Sequence, residues 1–204
     1  MRSSNGMKIL VVVALLISVI ALSIGFAAFT TSLNISSSAE VSPSSSNFNV
    51  SLSTSSSSVA TGSVSATGTG ATGAAATLTA NRISGLKATF TAPGQSVKYS
   101  FYAYNAGSFL AYLNSVAIGS KTCTAVEGTN QSYVNSACEG ISISVKVNEA
   151  TFSSTNTSIA DHTLAKNAGE PIEVTITYAS GSAVADGDFT VAFGDVVLTY
   201  GSAD

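Results

Sequence analysis

The chain has 204 residues and a net charge of −3, and only 9% of its residues are charged, whereas an ordinary soluble domain carries about 25%. Its eight basic residues are scattered from Arg2 to Lys166. The chain therefore lacks the clustered positive charge with which proteins neutralise phosphates. This composition excludes a nucleic-acid partner and predicts a polar, nearly uncharged surface.

The N-terminal segment combines a basic start with a long apolar run. Arg2 and Lys8 precede the uncharged stretch 9–29, ILVVVALLISVIALSIGFAAF, which ends near the small residues Ala27 and Ala28. This order is typical of a signal peptide cleaved by signal peptidase near Ala27 or Ala28. The run has 21 residues, so it is also long enough to remain as a membrane anchor.

Both interpretations of residues 1–28 predict export. The basic residues stay on the cytoplasmic side, and residues 29–204 lie outside the cytoplasm, at the cell surface or free in the medium. Contact with the membrane is then confined to the N-terminal segment. A third alternative is a type IV prepilin leader, which the start MRSSNGM resembles. Cleavage would follow Gly6, but Val11 stands where those pilins usually carry glutamate.

Residues 29–204 show the alternation of short β-strands, with apolar residues at every second position. Clear runs of this kind lie at 97–104, 141–148, 172–177 and 189–200; further strands are predicted near 29–36 and 46–55, and a weak one near 59–67. The last clear run is interrupted by Gly194-Asp195, which predicts a bulge or turn. We expect a single antiparallel β-sandwich, jelly-roll or immunoglobulin-like, preceded by one N-terminal hydrophobic helix.

Two parts of this domain are predicted to lack strands. Residues 67–75, TGTGATGAA, predict an exposed Ser/Gly-rich loop because glycine and small polar residues dominate them. Residues 158–166 predict one short helical turn. No other segment after residue 29 has a convincing helical period.

The two cysteines, Cys123 and Cys138, are separated by 14 residues of polar sequence. In an exported protein such a pair predicts a disulfide, which would pin an insertion between two strands. Closing a loop of this size contributes about 3 kcal/mol, chiefly by restricting the unfolded chain. A zinc site is not expected, because two cysteines and one distant histidine lack ligand spacing.

The sequence predicts neither an enzyme nor a cofactor. There is no Gly-x-Ser-x-Gly elbow, and any catalytic triad would depend on the single histidine, His162, which we expect in an exposed loop beside Asp161. Asp186-Gly187-Asp188 could offer oxygen ligands to calcium, but a turn before a strand is the simpler interpretation.

Three segments resemble the TasA/camelysin family of secreted, fibre-forming proteins. Residues 83–118, ISGLKATFTAPGQSVKYSFYAYNAGSFLAYLNSVAI, place Pro-Gly before an alternating strand and Asn-Ala-Gly-Ser after it. Residues 25–36, GFAAFTTSLNIS, resemble the family's junction between signal peptide and first strand. Residues 164–178, LAKNAGEPIEVTITY, resemble its closing strand. Camelysin has also been classed with metalloproteases, but a zincin needs two histidines and a glutamate, which one histidine cannot supply.

The resemblance implies an extracellular jelly-roll subunit of biofilm-matrix or pilus-like fibres, polymerising head to tail with copies of itself. In that family the segment after the signal peptide can complete the sheet of the next subunit. Residues 29–36, FTTSLNIS, are the candidate donor strand: they are uncharged and carry apolar side chains at Phe29, Leu33 and Ile35. The alternatives are a membrane-tethered monomeric surface or adhesion domain, and a type IV pilin-like subunit.

Overall fold

Many of the strands are short because glycine and small polar residues interrupt the apolar alternation every few positions. The computed structural model describes residues 47–202. In chain order, the strands of this part are β1 Val50–Ser53, β2 Gly62–Val64, β3 Ala66–Thr69, β4 Thr72–Gly73, β5 Ala76–Leu78, β6 Arg82–Ser84, β7 Lys87–Phe90, β8 Ser96–Asn105, β9 Ala111–Ile118, β10 Lys121–Ala125, β11 Ile141–Val147, β12 Ala150–Phe152, β13 Thr163–Leu164, β14 Gly169–Tyr178, β15 Phe189–Phe193 and β16 Val196–Ser202. Helix α1, Gln131–Glu139, lies between β10 and β11.

The first layer is an antiparallel sheet in the order β1-β8-β14-β11-β12. Strand β3 pairs with the first part of β8, on Ser96–Tyr99, and β1 pairs with the last part, on Tyr102–Asn105. The long central pair β8–β14 carries the alternation that the sequence predicted. The core-facing residues of β14 include Ile172, Val174 and Ile176, each at most 2% exposed.

The second layer consists of two sheets, β13-β9-β16-β6-β5-β2 and β10-β15-β7-β4. One register runs through both, because Ile118 pairs with Val196 and, three residues further on, Lys121 pairs with Phe193. β9–β10 and β15–β16 are thus two long strands, each kinked once. At the kink, a Cβ on Gly119 would lie 2.5 Å from the backbone of Gly194. The predicted interruption at Gly194-Asp195 is this kink.

The two layers pack through their apolar faces. Phe90 and Phe189 of the second layer enclose Tyr178 of β14, with ring centroids of Phe90 and Tyr178 5.8 Å apart and of Tyr178 and Phe189 5.4 Å apart. Edge-on contacts of this kind add to the stabilisation from burying the rings. The prediction of an antiparallel, all-β sandwich is therefore confirmed for the described residues. The predicted N-terminal hydrophobic helix and the strand at 29–36 lie outside them.

The predicted loop at 67–75 is wrong in part, because β3 and β4 form there. These strands are mostly exposed, but β3 pairs with β8 and β4 pairs with β7. Their glycines reflect close packing: a Cβ on Gly73 would lie 2.4 Å from the Cβ of Ala66 and 2.5 Å from Cγ1 of Val97. The small residues therefore allow β3 and β4 to approach each other closely beside the core.

Two further expectations about helices are wrong. Residues 158–166 contain no helical turn; they run along β9 and include β13. The helix instead forms at Gln131–Glu139, with Val134 and Ala137 as its buried residues. Within residues 47–202, no helix is long and apolar enough to cross a membrane.

Candidate interaction site: the strand edges and the disulfide-linked helix

The sequence-predicted site residues fall into two groups. The cleavage candidates Ala27 and Ala28 and the donor-strand residues Phe29, Leu33 and Ile35 lie outside the described residues. Cys123 of β10 and Cys138 of α1 are joined by a disulfide, with their Cα atoms 6.0 Å apart. The predicted bridge is confirmed, and it ties a helix to the edge of a sheet.

Strand β10 is an edge strand, and α1 covers part of that edge. The side-chain amide of Gln131 accepts a hydrogen bond from the Ala125 backbone N–H (2.9 Å) and donates one to the Cys123 carbonyl (3.2 Å). Both of these backbone groups point away from β15. The Val126 N–H and the Ser120 carbonyl bond to Asp188 and Gly194, which flank β15, so residues 121, 123 and 125 between them face the other side. One carboxamide therefore takes the place that a strand peptide group would occupy.

Lys121 fastens the other end of α1. Its Nζ donates to the carbonyl of Cys138 (2.7 Å), in the last turn of the helix, and to the carbonyl of Ile141 (2.6 Å), at the start of β11. A cation at the C-terminal end of a helix also interacts favourably with the helix dipole. The pair of contacts closes the corner between β10 and β11.

The Asp186-Gly187-Asp188 sequence holds the N-terminal end of α1. Oδ1 of Asp186 accepts from the Asn130 N–H, and the Asp188 carbonyl accepts from the Thr129 hydroxyl. A Cβ on Gly187 would lie 2.5 Å from Oγ1 of Thr129, so glycine permits this approach. Among residues 47–202, no group of three or more His, Cys, Asp or Glu side chains is placed to hold a metal ion.

The side of β9 that faces away from β16 is covered by residues 156–164. Val116 and Asn156 exchange two backbone hydrogen bonds, of 2.9 and 2.8 Å, and the Leu113 N–H donates to the His162 carbonyl. Strand β13 then completes the cover. An incoming strand would therefore have to displace this segment before it could pair with β9.

His162 lies within this cover and is not the exposed loop residue that we expected. Its Nε2 is 2.7 Å from Oε2 of Glu170, and the side chains of the two residues are only 15% and 8% exposed. The hydroxyl of Tyr200 donates to the other carboxylate oxygen at 2.6 Å. Burial, followed by the nearby Glu170 charge, raises the pKa of Tyr200 well above its ordinary value.

This buried cluster joins the two layers, since Glu170 belongs to β14 and Tyr200 to β16. A carboxylate that is removed from water needs such donors to offset its desolvation. His162 and Tyr200 each bind one oxygen of the Glu170 carboxylate. The carboxylate therefore links segments of the two layers.

The outward side of β1 is partly closed. The Leu52 N–H donates to the Ala80 carbonyl and the Thr54 N–H to the Ala60 carbonyl, each at 2.8 Å. The serine-rich segment that follows β1 folds back on the strand through Ser53, whose Oγ donates to the Ser58 carbonyl and accepts from the Ala60 N–H. Little of this edge remains available within the described residues.

The outward side of β11 differs. Strand β12 pairs with Val145–Val147 only, so within residues 47–202 no strand pairs with residues 141–144 on that side. The ladder to β14 uses the even-numbered positions, as the flanking bonds from Ala179 to Gly140 and from Asn148 to Pro171 show. The peptide groups of Ile143 therefore face outward, between β12 at one end and Lys121 at the other.

Sequence reasoning missed α1, Gln131, Lys121 and the Glu170 cluster. A signal for the helix was present, because Asn130 is a favourable N-cap and Val134, Ala137 and Cys138 have helical spacing. No local signal marks Glu170, which occupies a core-facing position of an alternating strand. Comparison with known proteins gave no match to a family model, to a curated protein or to a solved structure.

Proposed function

We propose that the chain is an exported structural subunit of a biofilm-matrix or pilus-like fibre, without enzymatic activity. Each subunit is a sandwich of the jelly-roll kind. Copies assemble head to tail when residues 29–36 of one subunit add a strand to the sandwich of the next subunit. Contacts of this type do not close on themselves, so they propagate as filaments. The disulfide supports export, because such bonds persist mainly outside the cytoplasm.

One observation carries the proposal: within the described residues, no strand pairs with the outward side of β11 at residues 141–144, where Lys121 binds only the Ile141 carbonyl. Its outward peptide groups offer backbone hydrogen bonds to an extended segment, and such added strands gain affinity mainly from these bonds. The edges at β9, β10 and β1 are covered by 156–164, α1 and Ala80, respectively. We assign this stretch of β11 as the acceptor edge.

The donor segment matches this edge in character. It is uncharged, and Leu33 and Ile35 lie two positions apart, so both side chains of an extended donor point to one face. On β11, Ile141 and Ile143 also face the core. A donor strand beside them would extend the apolar inner face of the first layer by two residues.

The first test compares protein lacking residues 1–28 with protein lacking residues 1–37 by negative-stain electron microscopy. We expect filaments only from the longer protein, which retains the donor strand. Folded monomers from both proteins would overturn the proposal in favour of a tethered surface domain.

The second test locates the acceptor edge. A peptide of residues 29–36 is added to the protein lacking 1–37, and amide exchange is measured at Ile143. We expect exchange to slow by on the order of 10-fold or more, because the amide enters a new ladder. A peptide with aspartate at positions 33 and 35 is the matched control. Protection at another edge, with none at Ile143, would reject β11 as the acceptor.

A further inference from the structure

The edge of β10 is closed by side chains, not by a strand. Gln131 binds the outward Ala125 N–H and Cys123 carbonyl, and Lys121 Nζ reaches across to Cys138 and Ile141. On its other side β10 pairs with β15 over five residues, Lys121–Ala125. If α1 moved away, β10 would present a row of free peptide groups, which is a template for another strand.

Helix α1 has little stability of its own. It has nine residues, of which only Val134 and Ala137 are buried, and helices below about 12 residues are marginal in water. There is no acidic residue in its first turn and no basic residue in its last turn, so the helix dipole gains nothing from its own sequence. The covalent bond to Cys123 is thus the strongest restraint that keeps α1 on the edge.

We propose that β10 is a second, latent strand-accepting edge, and that the Cys123–Cys138 bridge keeps it closed by holding α1 in place. When the bridge is reduced, α1 leaves and β10 pairs with an extended segment of a second copy of this chain. This inference goes beyond fibre assembly by residues 29–36 and does not depend on it, because any extended segment can supply the pairing peptide groups.

The opening step is a thiol–disulfide exchange with an external dithiol. The Sγ–Sγ bond breaks, two electrons and two protons pass from the dithiol to the cysteines, and the dithiol closes into its own disulfide. Both cysteines are partly exposed, so a small dithiol has access to the bond. In an oxidising compartment the bridge persists and the edge stays closed.

A second copy is the occupant because of the chemistry of the cover and the charge of the chain. Gln131 presents one N–H donor and one carbonyl acceptor to β10, as a peptide group does. An extended backbone segment offers the same donor and acceptor, and repeats them along the strand. With 9% charged residues, copies of this chain repel one another weakly, and the charges that normally protect sheet edges are scarce.

The test uses the full chain in a mild non-ionic detergent, with two variants that both lack the bridge. Cys123→Ala with Cys138→Ala leaves the edge able to accept a strand. Cys123→Pro with Cys138→Ala removes one of the outward N–H groups of β10, at its centre, and proline is tolerated on an edge strand where its nitrogen faces outward. Circular dichroism and denaturation midpoints first establish that both variants are folded.

We expect amide exchange at Ala125 to rise on the order of 100-fold in dithiol-treated wild type and in the double-alanine variant. In sedimentation experiments that variant should also form concentration-dependent oligomers beyond those of the oxidised wild type, whereas the proline variant should behave as the oxidised wild type does. A double-alanine variant that keeps Ala125 protected and oligomerises no more than the oxidised wild type would overturn the proposal. Equal oligomerisation of both variants would do so too, since it would indicate general unfolding. Neither outcome bears on filament formation by residues 29–36.

Discussion

The hydroxyl of Tyr200 in β16 donates a 2.6 Å hydrogen bond to Oε1 of Glu170 in β14, so a buried carboxylate links the two layers of the sandwich. His162 binds the other carboxylate oxygen at 2.7 Å. The Glu170 carboxylate is thus the shared acceptor for donors from two separate segments of the second layer. Its removal leaves both donors without a partner.

Glu170→Ala should lower the free energy of unfolding by about 2–4 kcal/mol, because it leaves the Tyr200 hydroxyl and the His162 ring unpaired in a buried site. Glu170→Gln should cost less, since one acceptor oxygen remains. Chemical denaturation measures both effects. The matched control is Glu173→Ala on the outer face of the same strand, where the exposed pair with Lys98 contributes less than about 1 kcal/mol. Equal losses of stability at positions 170 and 173 would contradict the role of Glu170 as a buried link between the layers.

The buried tyrosines should make the fold sensitive to alkali. Burial raises the pKa of Tyr99, Tyr178 and Tyr200 above the ordinary value. Below about pH 10 the phenols are protonated in both states, so their contribution to stability is complete. Above that pH the unfolded chain loses protons that the native state retains, and stability falls, by up to about 1.4 kcal/mol per pH unit for Tyr200.

Denaturation midpoints measured between neutral and alkaline pH check this expectation. Tyr200→Phe is the informative variant, because it should be less stable at neutral pH but show a shallower decline above about pH 10. A decline as steep as that of the wild type would show that Tyr200 does not contribute to the alkaline effect.

Gly119→Ala should destabilise the second layer at its kink. A Cβ at this position would lie 2.5 Å from Cα and C of Gly194 and 2.9 Å from the nitrogen of Asp195. All three atoms belong to backbone, so the strands themselves must separate, and overpacking of this kind costs about 1–3 kcal/mol. Thermal or chemical denaturation measures the loss. Ser120→Ala, next to it and exposed, should change stability by less than about 0.5 kcal/mol.

Asn105→Asp should destabilise the turn between β8 and β9 in a pH-dependent way. Nδ2 of Asn105 donates to the carbonyls of Phe109 (2.8 Å) and Leu164 (3.2 Å), while Oδ1 accepts from the Gly107 N–H (3.0 Å). Aspartate keeps the acceptor but places a carboxylate oxygen against two carbonyls. The side chain is fully buried, so we expect a loss above about 3 kcal/mol at neutral pH.

Burial and the two facing carbonyls should raise the pKa of the new carboxyl, and its protonation restores one donor. The loss should therefore shrink as the pH falls toward about 4, the ordinary carboxyl pKa that applies in the unfolded chain. The comparison is made with the wild type at each pH, so that effects common to both proteins cancel. Asn105→Ala lacks the carboxyl and should show no such recovery. A loss in Asn105→Asp that is independent of pH would contradict the assigned hydrogen bonds.

The strands that could be predicted from the sequence are those in which apolar and polar residues alternate at every second position. Val97 to Ala103, Ile141 to Val147 and Ile172 to Ile176 alternate, and all three runs lie in β8, β11 and β14 with those residues buried. Alternation is sufficient here because successive side chains of a strand point to opposite faces, whatever the strand pairs with. The disulfide was also predictable, since the chain offers a single pair of cysteines.

Only the tertiary structure decided which edges of the sandwich are covered and what covers them. Gln131 reaches β10 because the disulfide and Asp186 hold α1 there. Glu170 contacts Tyr200 and His162 because the two layers pack face to face at this position. These contacts join residues far apart in the chain, and each depends on strand register. A local pattern of residues specifies which face of a strand is buried, but not which strand, helix or loop will lie beside it.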